Sequence, residues 1–254
     1  MTTVMFYPSR EPRLLWAFSV KSIFATCMIC PIAALVLAFT LGATFHPSQL
    51  FKYRWTCGAV HLPSVSRVIN MSLERTIFQI LILFSIPLRL LVLFKHWLEH
   101  STLEASRYFV MARKLMTASG LSDVVFLSLL SVIGERENGS IHVALFAGFA
   151  TASYVYFVCL CLLTRWTFNG SKSDVLRAKL QLTFLTCVTV TIPIIALLFV
   201  LYNAFCVPLT YELFAVFEYT TVLAIFAFHA TSYSRMTGHV YVLHNSIKSR
   251  TQRV

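Results

Sequence analysis

The sequence predicts an all-α, polytopic membrane protein: a bundle of six transmembrane helices with both termini in the cytosol. Of its 254 residues, 57% are apolar and only 12% are charged, whereas ordinary soluble domains carry about 25% charged residues. Six stretches are long and apolar enough to cross a bilayer, and most basic residues flank them on one side. The composition excludes a water-soluble globule, a disulfide-rich secreted scaffold and a disordered chain.

The predicted spans follow from length and hydropathy, because a transmembrane helix needs about 20 mostly apolar residues. In chain order they are 19–41, 76–97, 116–133, 141–163, 180–202 and 211–233. The first is too long for a cleaved signal peptide and lacks a small-x-small cleavage site. Pro31, Pro87 and Pro193 lie inside spans, where membrane helices accept proline as a kink. With no internal repeat and no soluble segment, we expect residues 1–254 to form a single membrane domain.

The basic residues predict the orientation. Fifteen of the 21 lysines and arginines flank the spans on the side of the termini, five lie on the opposite side, and Arg89 lies inside the second span. By the positive-inside rule, the termini are cytosolic and the first, third and fifth loops are lumenal or extracellular. The net charge of +11 is therefore explained by membrane topology and anionic lipids, and we expect no nucleic-acid partner.

The first loop, residues 42–75, is too long for a simple connector and is a candidate functional element. It contains Cys57, and the fifth loop contains Cys206. Both loops are predicted to face an oxidising compartment, so the two cysteines can form a disulfide, the alternative being two free thiols. The other five cysteines lie within predicted spans, where ordinary packing explains them.

Ionisable residues inside spans are candidates for function. Arg89, Asp123 and His229 all lie in the cytosolic half of the bundle, where they can form one buried cluster. The alternative is a structural polar contact between helices, or an arginine that extends to the membrane surface.

A second polar set lies in the lumenal half. His142 opens the fourth span, and Glu218 is about 10 Å into the sixth. We consider both as catalytic candidates: an imidazole and a carboxylate in this leaflet can act as bases or position a lipid headgroup. Either can equally be a packing hydrogen bond. The eleven positions between Glu218 and His229 put them on one helix face but too far apart to act on the same atom.

The sequence lacks the motifs of several common enzyme classes and nucleotide-binding sites. It contains no GxSxG, HExxH, Walker loop or glycine-rich phosphate cradle. We therefore expect no cofactor, and no metal site, because the intramembrane His and Asp residues are too few at one depth.

Four sequence pieces, in order, carry a family resemblance. They are CGAVHLPSVSRVI from Cys57, IPLRLLVLFKHW from Ile86, IHVALFAGFATASY from Ile141, and YELFAVFEYTTVLAIFAFHATSY from Tyr211. Together they resemble the FRAG/DRAM/SFK family of multi-span membrane proteins, in the branch that remodels glycosylphosphatidylinositol (GPI) anchors. The resemblance extends from the first span to the sixth.

The resemblance implies a set of functional positions. Those matching the loop motif or the intramembrane polar positions are Cys57, His61, Leu62, Pro63, Ser64, Ser66, Arg89, His142, Cys206, Glu218 and His229. Asp123 stands where relatives have glutamate, and Val143 replaces an acid that relatives carry after the Ile-His pair. A mechanism that depends on that acid does not transfer to this chain.

The resemblance also implies a function and partners. The expected role is reacylation of lyso-GPI with a saturated fatty acid, in the Golgi or endoplasmic reticulum membrane, which retains GPI-anchored proteins at the cell surface. The expected partners are GPI-anchored proteins, the lyso-GPI lipid and GPI-remodelling enzymes. The protein is then an acyltransferase or a subunit of one. The alternative is a non-catalytic scaffold or lipid-binding protein acting in autophagy or membrane lipid organisation. A transporter is disfavoured by the lack of an inverted repeat.

Overall fold

Six long helices dominate the computed structural model, which describes residues 11–101, 106–167 and 170–246. They are α1 (Val20–Phe45), α2 (Ser72–Glu99), α3 (Arg107–Val132), α4 (Gly139–Trp166), α5 (Lys172–Phe205) and α6 (Thr210–Ala230). Each is long and apolar enough to span a membrane, which confirms the predicted six-helix membrane fold.

Most of the helices extend beyond the predicted spans, but α6 ends at Ala230, three residues before the predicted end of the sixth span at 233. The third span was expected at 116–133, whereas α3 begins at Arg107, capped by the Ser106 side chain. Its 26 residues rise about 39 Å, more than a bilayer core of about 30 Å. Hydropathy detects only the apolar part of a helix, so the basic first turns of α3, which contain Arg113 and Lys114, escaped the prediction.

The long helices form a closed ring, and α4 also contacts α6 across it through Phe157 and Phe228, whose ring centroids lie 4.0 Å apart. Consecutive helices pack against each other from α1 to α6, and contact between α1 and α6 completes the ring. That last contact is the smallest of the six, and Phe39 and Tyr219 meet there edge to face, with ring centroids 5.5 Å apart. The largest buried cluster joins α2, α3, α4 and α6 through Leu93, Met116 and Phe157, among others.

The two ends of the ring differ. The loop end carries the connection between α1 and α2, which contains the one-turn helices Pro47–Phe51 and Val65–Val68 and the strands β2 (Tyr53–Trp55) and β3 (Gly58–Val60). The two strands pair antiparallel, and Gly58 at the turn has φ +131°, a backbone conformation that favours glycine. We call this connection, residues 46–71, the cover, because it lies over the loop end of the ring.

The termini end carries a second two-stranded ladder that the sequence analysis did not predict. Strand β1 (Glu11–Ser19) pairs antiparallel with β4 (His239–Ser246), so the segments before α1 and after α6 lie side by side. The described chain is therefore mostly helical rather than purely helical. The pairing is long-range, and hydropathy analysis of separate segments does not reveal it.

Candidate functional site

A cavity lies inside the ring, below the cover at the loop end. Five of the six long helices and the cover line this cavity, which has a volume of about 120 Å³. Most of the wall is apolar and includes Pro31, Leu35, Phe78, Ile82, Leu127, Phe146, Phe149 and Val222. Both sets of polar residues predicted inside the membrane line this same cavity. One set is His142 and Glu218, and the other is Arg89, Asp123 and His229. The two sets are therefore connected.

His142 stands at the loop end of the cavity, on the first turn of α4, where the Asn138 side chain caps the helix. Its side chain is buried, at 6% exposure. Nδ1 lies 2.9 Å from the carbonyl oxygen of Ile133, and Nε2 lies 3.1 Å from Oγ of Ser66. Because a carbonyl only accepts hydrogen bonds, Nδ1 carries a proton. In the neutral imidazole, Nε2 therefore accepts the Ser66 hydroxyl proton.

Glu218 lies on α6 and reaches the same helical turn of the cover. It is 4% exposed, and its Oε2 accepts a hydrogen bond from the backbone nitrogen of Val65 at 2.8 Å. His142 and Glu218 thus contact adjacent residues of the cover, Ser66 and Val65. Both line the cavity, but no hydrogen bond joins them among the described residues.

The predicted loop motif fixes the cover to the ring. Ser64 caps the helix Val65–Val68 by accepting from the Arg67 nitrogen at 3.1 Å, and it also accepts from the Tyr211 hydroxyl at 3.1 Å. The Tyr219 hydroxyl donates to the Pro63 carbonyl. Together with the Val65 amide, the Ser64 hydroxyl and the Pro63 carbonyl therefore attach the cover to the ring.

Two other motif residues lie away from the cavity wall. His61 is exposed, and its backbone nitrogen lies 3.4 Å from Oε1 of Glu212. Leu62 is half-buried. Neither is among the residues that line the cavity.

The disulfide between Cys57 and Cys206 confirms the predicted pairing. The two Cα atoms lie 5.2 Å apart, and the bond joins the cover to the connection between α5 and α6. A buried cluster containing Tyr53, Tyr202 and Tyr211 surrounds it, with the Tyr53 and Tyr211 hydroxyl oxygens 2.6 Å apart. The cover is thus tied covalently to the far side of the ring.

The far end of the cavity is polar. Nη1 of Arg89 lies 3.7 Å from Oδ2 of Asp123, and the Ser153 hydroxyl donates to Oδ1 of the same carboxylate. His229 lines the cavity beside this pair, but its ring packs against Phe157, with centroids 5.1 Å apart. The structure therefore joins two of the three predicted residues in an ion pair and places the third next to them.

Glu135 is a site neighbour that the sequence analysis missed. It lies in the connection between α3 and α4 and is half-buried. Burial raises the pKa of its carboxyl group, and the nearby positive charges of Arg67 and Arg136 lower it in part. Its carboxyl group also lies near His142, a placement that a short polar connection does not reveal in the sequence.

A polar cluster at the termini end was also missed. Glu99 lies between two guanidinium groups, 3.7 Å from Nη1 of Arg177 and 3.9 Å from Nε of Arg235. Arg235 also pairs with Asp174, 61 positions earlier. No local pattern predicts contacts at that separation. Among the described residues, no group of three His, Cys, Asp or Glu side chains is placed to hold a metal ion.

The arrangement is suited to an amphipathic lipid. The cavity's loop end offers a hydroxyl, an imidazole and a carboxylate from Ser66, His142 and Glu218, and its middle is apolar. A headgroup or ester linkage can hydrogen-bond at the loop end while a hydrocarbon chain lies along the wall.

Comparisons with known proteins identify similar chains. Residues 19–234 match the Frag1/DRAM/Sfk1/Cwh43P N-terminal domain. A protein named Post-GPI attachment to proteins factor 2 from Caenorhabditis elegans is 30% identical over 235 residues, covering 86% of this chain and 83% of the relative. The protein of that name from Drosophila pseudoobscura pseudoobscura is 31% identical over 229 residues, covering 84% and 88%. No solved structure matches.

Proposed function

This chain belongs to the Frag1/DRAM/Sfk1/Cwh43P family, and from that premise we propose that it acts in the lipid remodelling of GPI anchors after their attachment to proteins. Its role is to support reacylation of lyso-GPI with a saturated fatty acid, which retains GPI-anchored proteins at the cell surface. The names of its relatives support the pathway.

The amphipathic cavity is the main structural support for this proposal. Lyso-GPI has a polar headgroup, a free glycerol hydroxyl and a hydrocarbon chain. Ser66 and His142 at the loop end offer hydrogen-bonding partners to that hydroxyl, and the wall that includes Ile82 and Phe149 offers apolar contacts to the chain. The incoming fatty acyl chain has the same chemistry and the same wall available to it.

The proposed orientation puts the loop end in the lumen and the termini in the cytosol. The distribution of basic residues supports it through the positive-inside rule. The Cys57–Cys206 disulfide supports it independently, since such bonds persist in oxidising compartments. A GPI lipid lies in the lumenal leaflet, so this orientation brings it to the loop end. We place the protein in the Golgi membrane, with the endoplasmic reticulum membrane as the alternative.

Deletion of the gene in cells tests the proposal. We expect GPI anchors to lose saturated chains and a GPI-anchored reporter to leave the cell surface, while a reporter held by a transmembrane helix stays. Mass spectrometry of released anchors measures the first effect and flow cytometry the second. Re-expression of the intact chain restores both. Unchanged anchor chains in the deleted cells would contradict the proposal.

A non-catalytic lipid-binding scaffold is the second candidate. The contacts that favour it are those holding the cover, because Val65–Glu218 and Pro63–Tyr219 are structural attachments around the cavity. A scaffold binds lyso-GPI without converting it. Purified protein that retains the lipid but yields no diacyl product, with or without a lipid acyl donor, would favour this candidate over an acyltransferase.

A further inference from the structure

We infer that Ser66 is the nucleophile of an acyl-transfer site, that His142 is its base, and that the acyl donor is a membrane lipid carrying an oxygen ester. The inference rests on the proposed function and deepens it, because it assigns the chemistry to one hydroxyl and one imidazole. It also places the substrate's ester group at the loop end of the cavity.

The geometry meets the requirements of an activated serine. A nucleophile needs a base within hydrogen-bond distance, and the base needs a third group that fixes its orientation. Oγ of Ser66 lies 3.1 Å from Nε2 of His142, and Nδ1 of His142 lies 2.9 Å from the Ile133 carbonyl oxygen. The carbonyl fixes the tautomer that leaves Nε2 free to take the serine proton.

The hydroxyl of Ser66 is dispensable for attaching the cover. The neighbouring motif residues already provide three attachments: Pro63 through Tyr219, Ser64 through Tyr211, and Val65 through Glu218. The Cys57–Cys206 bond provides a fourth. Ser66 is half-buried rather than buried, so a substrate can reach it, and it lines the cavity.

The apolar wall below Ser66 defines the substrate class. An ester group beside Oγ continues into a hydrocarbon chain, and the wall includes Leu35, Phe78, Phe146 and Val222. Phospholipids carry such esters at the depth of the headgroup boundary and are present throughout the bilayer. A lipid ester therefore reaches the serine from the membrane itself.

The proposed acyl transfer has two steps, acylation of Ser66 and transfer of the acyl group to lyso-GPI. The Oγ–H proton of Ser66 passes to Nε2 of His142 as Oγ bonds to the ester carbonyl carbon of the donor lipid. The donor's carbonyl carbon–oxygen bond then breaks, and the leaving alkoxide takes the proton from His142 to become a lysolipid. In the second step the glycerol hydroxyl of lyso-GPI gives its proton to His142 and attacks the acyl-Ser66 carbonyl. The Ser66 oxygen leaves, takes back that proton, and the hydroxyl is restored.

The test uses the purified full-length protein in detergent and two probes: an alkyl fluorophosphonate, and a phospholipid with an alkyne-tagged acyl chain. Both should attach covalently, and peptide mass spectrometry should place the adduct on Ser66 of the wild-type chain. We expect Ser66→Ala to abolish labelling and His142→Gln to slow it about a hundredfold or more. Ser140→Ala is the matched control, since Ser140 is exposed at the same end of α4, and it should label like the wild type.

Mapping on the wild-type chain keeps the test decisive even if a variant fails to fold. An adduct on another residue, or no adduct with either probe, would overturn the inference. Expression of the Ser66→Ala variant in cells that lack the gene tests this inference separately from the proposed function. If Ser66→Ala restores the anchor chains, the nucleophile is wrong and the pathway stands. If deletion leaves the anchor chains unchanged while Ser66 is acylated, the pathway is wrong and the acyl-transfer site stands.

Discussion

Oε2 of Glu218 accepts a hydrogen bond from the backbone nitrogen of Val65 at 2.8 Å, across 153 positions of sequence. The contact couples the last transmembrane helix to the cover over the cavity. It gives a buried carboxylate a specific partner, and it places the turn that carries Ser66 against His142. The geometry of the loop end therefore depends on a residue of α6.

Replacing Glu218 should loosen the cover. Glu218→Ala leaves the Val65 N–H without its partner, at an expected cost of about 1–3 kcal/mol in unfolding free energy. Glu218→Gln keeps an acceptor and should lose less. Thermal unfolding in detergent measures both. Glu212→Ala is the control, because within the described part of the chain its side chain accepts a single hydrogen bond, a 3.4 Å contact from the His61 nitrogen. Equal melting temperatures for all three variants would contradict this role of Glu218.

The disulfide predicts how many cysteines react with a thiol reagent before and after reduction. The chain has seven cysteines, of which Cys27, Cys30, Cys159, Cys161 and Cys187 are free. A maleimide reagent should therefore add five times to protein denatured without reductant and seven times after reduction, as read by mass spectrometry. Seven additions without reductant would show that the bond is absent.

Loss of that bond should also destabilise the protein. Cys57→Ser and Cys206→Ser should each lower the unfolding free energy by about 2–5 kcal/mol, and the double variant should cost no more than either single one. Cys187→Ser is the control because that thiol is free. A double variant that loses the sum of the two single effects would show that the cysteines act separately.

The Arg89–Asp123 pair should show strong coupling. Removing one partner leaves the other charge unpaired inside the bundle, so Arg89→Leu or Asp123→Leu should each cost about 3–5 kcal/mol. The double variant should cost less than the sum, because neither charge is left alone. Thermal unfolding of the single and double variants measures the coupling. Additive costs would contradict the pairing, and Arg165→Leu, at an exposed position, serves as the control.

Filling the cavity should change the acyl chains that are transferred. Val222 lines the cavity, and Leu223, the next residue on α6, is 68% exposed on the outer surface. Val222→Phe should shift rescued anchors towards shorter chains, whereas Leu223→Phe should leave the profile unchanged. Mass spectrometry of GPI anchors from rescued cells compares the two. The same profile from both variants would argue against a lipid chain in this cavity.

Glu135 and Glu137 should respond to pH in opposite directions. Burial raises the pKa of Glu135, so the folded state binds the extra proton and stability falls as pH rises through the window just above the usual glutamate value. The hydrogen bond from Arg75 lowers the pKa of Glu137, so its contribution is lost as pH falls through the window just below that value. Melting curves of Glu135→Gln and Glu137→Gln against the wild type should show opposite slopes. Parallel curves would contradict both assignments.

The sequence predicted the six helices because membrane crossing imposes a local requirement, about 20 apolar residues in succession. It also singled out Cys57, Cys206, His142 and Glu218, because such residues are conspicuous in an apolar chain. It missed Glu135 and the Glu99–Arg177 cluster, because these residues lie in polar segments, where a charged residue does not indicate a site. It also missed the β1–β4 pairing, which joins segments more than two hundred positions apart.

By itself, the sequence determined the composition, the spans and the positions of intramembrane polar groups, all properties of single segments. The neighbours of those groups depend on how the helices pack together. That packing paired Arg89 with Asp123, gave Glu218 the Val65 amide and His142 the Ser66 hydroxyl, and connected both polar sets through one cavity. The physical reason is that hydropathy fixes the depth of a residue in the membrane, whereas the packing of the helices around the ring fixes its neighbours.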